Sequence, residues 1–238
     1  MVEERAGPLR VAVRGGGGAA ASAAAGVERV GADEDPDVVT AVGEDALIGL
    51  ADDLPDAPVV PSWPGGGPHV VPPASLGTAL ESVAAGDVRI DGHPVLGVTV
   101  EGRTAGRALM DATLVTSDPA RISEYGVHAR GERVASARAD GVTVATPLGS
   151  AGYARTAGGP LLAPGTGVAV VYIAPFTTNP DVRVLRPNLE LSVERDEGPV
   201  SLVLDDAIRR RVGPDERVAV RRAATVDVAV VSGTGADG

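Results

Sequence analysis

The 238 residues carry 32 acidic and 21 basic side chains, a formal net charge of −11, and 44% hydrophobic residues of which hardly any are aromatic (2% of the chain). That length supports two small domains with aliphatic cores. The lack of cysteine excludes disulfides and thiolate-bound zinc, and an acidic balance without an arginine stripe argues against nucleic acid.

Every basic residue is arginine, and neither lysine nor glutamine occurs. Such a composition suits a protein kept soluble in concentrated salt, where charge repulsion is screened over a few ångström. The densest basic run, "IRRRV" at 208–212, reads as a solvated turn. The first residues are acidic and do not form a signal peptide, and no run of apolar residues is long enough for a membrane helix, so the cytoplasm is the expected location.

In chain order, "LRVAV" (9–13) predicts a strand, followed by a glycine turn at 15–18 and a short alanine-rich helix. "VERV" (27–30) and "DVVTAV" (37–42) predict two more strands, the second leading into a short helix over "GEDALIGLADDL". Strands alternating with helices imply a parallel sheet. "APVV" predicts a further strand inside a Pro- and Gly-rich stretch, and "SLGTALESVAAG" (75–86) a helix with Ser75 as N-cap and Gly86 at its end.

From about residue 88 the chain becomes a series of short apolar or alternating runs with turns roughly every ten residues, the pattern of an antiparallel sandwich or barrel. The expected organisation is a Rossmann-like α/β domain over 1–90, an all-β domain over 91–224, a last strand at 225–232 that returns to the first domain, and a tail at 233–238. The site is expected in the cleft between the two domains.

Three patterns are weak. Gly15, Gly17 and Ala20 fit G-x-G-x-x-A, with Asp33 to Asp35 where a ribose-binding carboxylate would follow, but four consecutive glycines meet many such patterns. His69, His93 and His128 lie far apart with no acidic partner at ligand spacing, so no metal site is predicted. "LGSAG" around Ser150 approaches a nucleophile elbow, but Leu148 stands where the turn needs glycine, which leaves serine-hydrolase chemistry as a remote alternative.

The informative stretch is "RADGVTVATPLGSAGYARTAGGP" (138–160). A strand delivers the chain into a Pro-x-Gly-Ser turn in which Gly149 and Gly152 allow close backbone approach. Tyr153 offers a flat face for a base. On these residues alone, nucleoside binding competes with a plain connection between strands.

The same stretch resembles the signature of the NAD kinase family: Ala-Asp-Gly, a strand, T-P-T-G-S-T-A-Y, then Ser-Ala-Gly-Gly-Pro. Asp140, Gly141, Thr146, Pro147, Gly149, Ser150, Tyr153, Ala157, Gly158, Gly159 and Pro160 match in order and spacing. "VVTAVGEDALIG" lies where the family has G-G-D-G-T, "ALMDATLV" where it has Asn-Glu, "IAPFTTNP" resembles its apolar-Cys-Pro-His segment, and "SLVLDDA" its Val-Asp-Gly strand. The resemblance runs over about residues 36 to 225.

It implies phosphorylation of the 2′-hydroxyl of NAD by ATP with Mg²⁺ to give NADP, and a homo-oligomer, dimer or tetramer. By the same resemblance Asp45 is the general base, Gly43, Glu44 and Ala46 form the phosphate loop, and Met110, Asp111, Asp140, Gly149, Ser150, Tyr153, Thr156 and Asp205 bind the dinucleotide. No residue is assigned to a metal.

The phosphate half departs most from the family pattern. Glu44, Ala46 and Leu47 replace two glycines and a threonine, and Met110-Asp111 replaces Asn-Glu. A carboxylate beside bound phosphate costs on the order of 1 kcal/mol. Two readings stay open: a working kinase, and a relative that binds NAD or NADP without phosphoryl transfer.

Overall fold

The computed structural model describes residues 7–16, 24–64, 69–118, 121–177 and 181–231. The expected alanine-rich helix, Gly17, Ala20 and the tail lie outside them. The chain forms two compact units, one of Met1–His93 with Val226–Gly238 and one of Pro94–Thr225.

In the first unit β1 (Leu9–Gly15), β2 (Val27–Val30), β3 (Val38–Val42) and β4 (Val59–Ser62) form a parallel sheet in the order β2-β1-β3-β4. "VVTAV" in β3 is continuously apolar or buried, as a strand covered on both faces must be. The fourth strand starts two residues later than "APVV" predicts, and Val71 N–H bonds to the carbonyl of its Pro61.

After β3, α1 (Glu44–Ile48) lasts little more than one turn before it tightens into a 3₁₀ turn at Gly49–Ala51. The helix predicted over 43–54 is therefore shorter than expected, since Gly49, two aspartates and Pro55 oppose its extension. α2 (Leu76–Ala84) buries Leu76, Ala79 and Leu80, spaced to share one face, against the sheet core of Leu9, Val11 and Val60.

The end of α2 follows its sequence closely. Gly86 takes φ +77°, its N–H bonds to Val83 C=O, and Asp87 N–H reaches Ser82 C=O, a Schellman pair of bonds. Ser75 holds the N-cap position without a side-chain capping bond, because a 3₁₀ turn at Pro73–Ser75 leads into the helix.

β5 (Val88–Val100) and β16 (Arg217–Val231) contribute residues to both units. Within the first, Val228 of β16 pairs in parallel with Val59 of β4.

The second unit holds β6 (Arg103–Ala108), β7 (Asp111–Thr116), β8 (Ser123–Ala129), β9 (Glu132–Ala139), β10 (Gly141–Ala145), β11 (Val168–Ile173), β12 (Arg183–Leu185), β13 (Asn188–Arg195), β14 (Val200–Leu204) and β15 (Ala207–Val212). Here β16 pairs with β13, β13 with β8 and β8 with β9, all antiparallel. A second antiparallel sheet runs β12-β11-β10-β7-β14-β15.

Alternate residues of both sheets, among them Leu114, Val144, Val170, Val127 and Leu191, share one buried aliphatic cluster. Because the strands lie in two separate sheets around that cluster, the unit is a sandwich rather than a closed barrel. The fold is therefore α/β joined to an antiparallel sandwich.

Candidate functional site

In the second unit, three neighbouring strands bring their ends to one edge. Ala145 at the end of β10 pairs with Asp111 at the start of β7, and Leu204 at the end of β14 pairs with Ala112. The segment before β7, the turn after β10 and the turn after β14 therefore meet.

Asp205 organises this edge. Its carboxylate accepts the backbone N–H groups of Leu109 (3.0 Å), Met110 (2.7 Å) and Asp111 (3.0 Å), and its own N–H donates to Asp111 C=O at 2.9 Å. The left-handed backbone at Asp205, φ +55°, turns the side chain back over these donors. Burial pushes the Asp205 carboxyl up from its ordinary pKa, against the three N–H bonds that favour its ionised form.

The turn after β10 closes on the same segment from the other side. Thr146 donates its N–H to Met110 C=O at 2.9 Å and its hydroxyl to Leu109 C=O. A Cβ on Gly149 would lie 2.1 Å from Met110 O, so only glycine fits there.

Ser150 is fully buried; its hydroxyl donates to Pro147 C=O at 2.7 Å and accepts Leu162 N–H at 3.0 Å. That engagement makes Ser150 a strut of the turn and corrects the nucleophile-elbow alternative, since the hydroxyl is out of reach of solvent.

A 3₁₀ turn at Gly149–Ala151 passes into α3 (Tyr153–Thr156), which buries Ala154 with Ala145, Leu162 and Val171. Anchored there, α3 leaves Tyr153 half exposed and Thr156 on the surface. Gly159 ends the segment where a Cβ would meet Ala154 O at 2.7 Å, and Arg155 donates to Gly159 C=O at 3.1 Å.

Asp111 is nearly buried, and its Oδ1 accepts the Thr113 hydroxyl at 2.8 Å. Thr113 in turn meets Thr143 Oγ1 at 2.8 Å. Neither threonine stands out in the sequence, each being a small polar residue in a short strand. Asp140 is the residue that the second unit does not bring to this edge. It precedes β10, which places it roughly 20 Å of strand from Thr146 at about 3.3 Å per residue.

The first unit carries Gly43, Glu44, Asp45 and Ala46. Gly43 takes φ +97°, and its missing Cβ would meet nothing within 4 Å. Glu44 and Asp45 are exposed on α1, while Leu47, at the position where the family pattern has threonine, is fully buried. Ala46 packs on Gly15, whose own Cβ would lie 2.9 Å from the Ala46 methyl and 2.2 Å from Val42 O.

The acidic loop at Asp33 to Asp35 is folded onto Arg10, whose guanidinium donates to the carbonyls of Glu34 and of Asp35 (2.8 Å). The histidines are less scattered than the sequence predicts. A turn with His69 at φ +65° brings its ring 5.5 Å from that of His93, edge to face, with Asp91 Oδ2 3.3 Å from His69 Nε2. Among the described residues no group of histidines and carboxylates has the arrangement of a metal site.

Residues 109–231 match the model of the ATP-NAD kinase C-terminal domain. An NAD kinase of Methanocorpusculum labreanum is 30% identical over 135 residues, 56% of this chain and 50% of that relative. Among solved structures, an NAD kinase from Archaeoglobus fulgidus in complex with ATP has a TM-score of 0.69 at 21% identity, covering 92% of this chain and 93% of that one. Yeast NADH kinase complexed with NADH has a TM-score of 0.69 at 15% identity, covering 87% and 66%. Identities this low show a common fold. The chain spans about half the length of the curated relatives it matches.

Proposed function

The chain belongs to the NAD kinase family, and from that premise we propose that it transfers the γ-phosphoryl group of ATP to the 2′-hydroxyl of NAD, giving NADP and ADP. Asp45 takes the hydroxyl proton as the ribose oxygen bonds to phosphorus and the bond to the ADP oxygen breaks. The donor enters as its Mg²⁺ complex, so the metal belongs to the substrate.

The observation that carries the reading is the clamp on Leu109–Asp111 by Asp205, Thr146 and Gly149. It consumes the polar backbone of that segment internally and leaves side chains to meet a ligand. Asp111 binds a hydroxyl of the dinucleotide, and Tyr153 and Thr156, surface-facing on an anchored helix, hold its adenosine. Ser150 and Asp205, whose polar atoms are engaged, support the site by shaping it.

A second reading rests on α1. Glu44 adds a carboxylate next to Asp45, and Leu47 is buried where a threonine hydroxyl would serve phosphate. These features favour a protein that binds NAD or NADP without turnover, since phosphoryl transfer depends mainly on positioning and charge stabilisation.

One assay separates the two: NADP formation from NAD and MgATP in concentrated salt, with heat stability followed in the presence of NAD. Turnover that disappears in Asp45→Asn supports the kinase; stabilisation by NAD without turnover supports the binding protein. No effect of either nucleotide defeats both.

A further inference from the structure

We infer that Thr113 is a positioning residue that fixes the Asp111 carboxylate through the hydrogen bond from its buried hydroxyl. The inference deepens the nucleotide reading and rests on it, because it gives Thr113 a purpose only if Asp111 meets the dinucleotide.

Thr113 and Thr143 are directly opposite each other in the β7–β10 pair, and Asp111 lies two residues before Thr113, on the same face of β7. Thr113 is 5% and Thr143 0% exposed. A hydroxyl has one proton. Thr113 Oγ1 is placed to donate to Asp111 Oδ1 and to Thr143 Oγ1, each at 2.8 Å, and the ionised carboxylate is the stronger acceptor of its one proton. The Thr113 proton therefore belongs chiefly to the acid, with Thr143 Oγ1 the weaker acceptor beside it.

The fold alone does not ask for these hydroxyls. Both residues sit in sheet interior among valines, where a valine matches threonine in shape, branching and strand preference. A buried hydroxyl is unfavourable unless bonded, and the acid that takes the Thr113 proton is Asp111. Below Asp111 the backbone is already held by Asp205, which fixes the Cα but not the rotation of the carboxylate. Thr113 supplies a restraint on the carboxylate itself.

The test is calorimetric titration of NAD into wild type, Thr113→Val, Thr113→Ser, Asp111→Asn and the Thr113→Val/Asp111→Asn double variant. Thr113→Val weakens NAD binding about tenfold, roughly one bond to a charged group. Thr113→Ser, which keeps the hydroxyl, recovers most of that loss. In the double variant Thr113→Val adds nothing to Asp111→Asn, since its effect passes through the acid.

Should Thr113→Val fail to fold, Thr113→Ala removes the same hydroxyl and is expected to weaken NAD binding by about as much, again without adding to Asp111→Asn. Undiminished affinity in Thr113→Val beside lost affinity in Asp111→Asn overturns the inference and leaves the nucleotide reading standing. A loss in Thr113→Val that adds fully to that of Asp111→Asn also overturns it. Absence of NAD binding by the wild type overturns the nucleotide reading itself and this role with it.

Discussion

Asp205 and Asp111 exchange backbone and side-chain bonds: Asp205 N–H donates to Asp111 C=O at 2.9 Å, and Asp111 N–H donates to Asp205 Oδ1 at 3.0 Å. The pair ties the end of β14 to the start of β7, so the acid that faces the ligand in our reading stands on fixed backbone. Asp205→Ala leaves three largely buried N–H groups without an acceptor, and the expected loss of stability is about 3 kcal/mol or more in urea unfolding. Asp205→Asn, with one amide oxygen left to accept, loses less.

Gly149→Ala places a methyl on Met110 O and forces the turn away from the clamp. About 2 kcal/mol of stability is expected to go, with a weakening of NAD binding larger than that of a surface change. A variant as stable as wild type would show that the turn yields without strain.

Tyr153 contrasts with Gly149 because half of it faces solvent. Tyr153→Ala is expected to change stability by less than about 0.5 kcal/mol and to weaken NAD binding about tenfold, the value of one base stacked on one ring. Thermal melts with and without NAD separate the two quantities. Equal shifts by NAD in both proteins would remove Tyr153 from the site.

Burial, first of all, lowers the pKa of His93 to about 4, and the nearby His69 adds to the effect. Between pH 6.5 and about 4 the unfolded chain takes up a proton that the folded chain refuses. Stability is thus complete above pH 6.5, declines through that window by about 1.4 kcal/mol per pH unit, and levels off below pH 4 after a loss of about 3 kcal/mol. His69 is lowered as well, chiefly by burial, and acts in the same direction. Urea midpoints against pH check this, and His93→Leu is expected to flatten most of the slope.

Much of the fold was legible because its signals are local. β3 is marked by a short run rich in β-branched residues, α2 by apolar spacing and the glycine beyond its end, and the antiparallel unit by regular turns. Resemblance in the stretch 138–160 led to the family.

What the sequence did not reveal depends on register between distant segments. Thr113 and Thr143 are thirty residues apart, and only the pairing of β7 with β10 joins their hydroxyls. His69 and His93 are separated by α2 and meet only because the chain folds back. Asp205 was expected by resemblance to touch the dinucleotide, and nothing in "SLVLDDA" foretells that its carboxylate turns onto three N–H groups. The replacement of threonine by Leu47 looked like simple loss, whereas its side chain has joined the core; Leu47→Thr is expected to cost about 2 to 4 kcal/mol.

The most direct test of the central claim is NADP formation by the wild-type chain from NAD and MgATP in concentrated salt, run beside Asp45→Asn. NADP is expected from the first, and a loss of at least about a hundredfold in the second. Equal rates in the two proteins, or no NADP from the wild type at any ATP concentration, would contradict it.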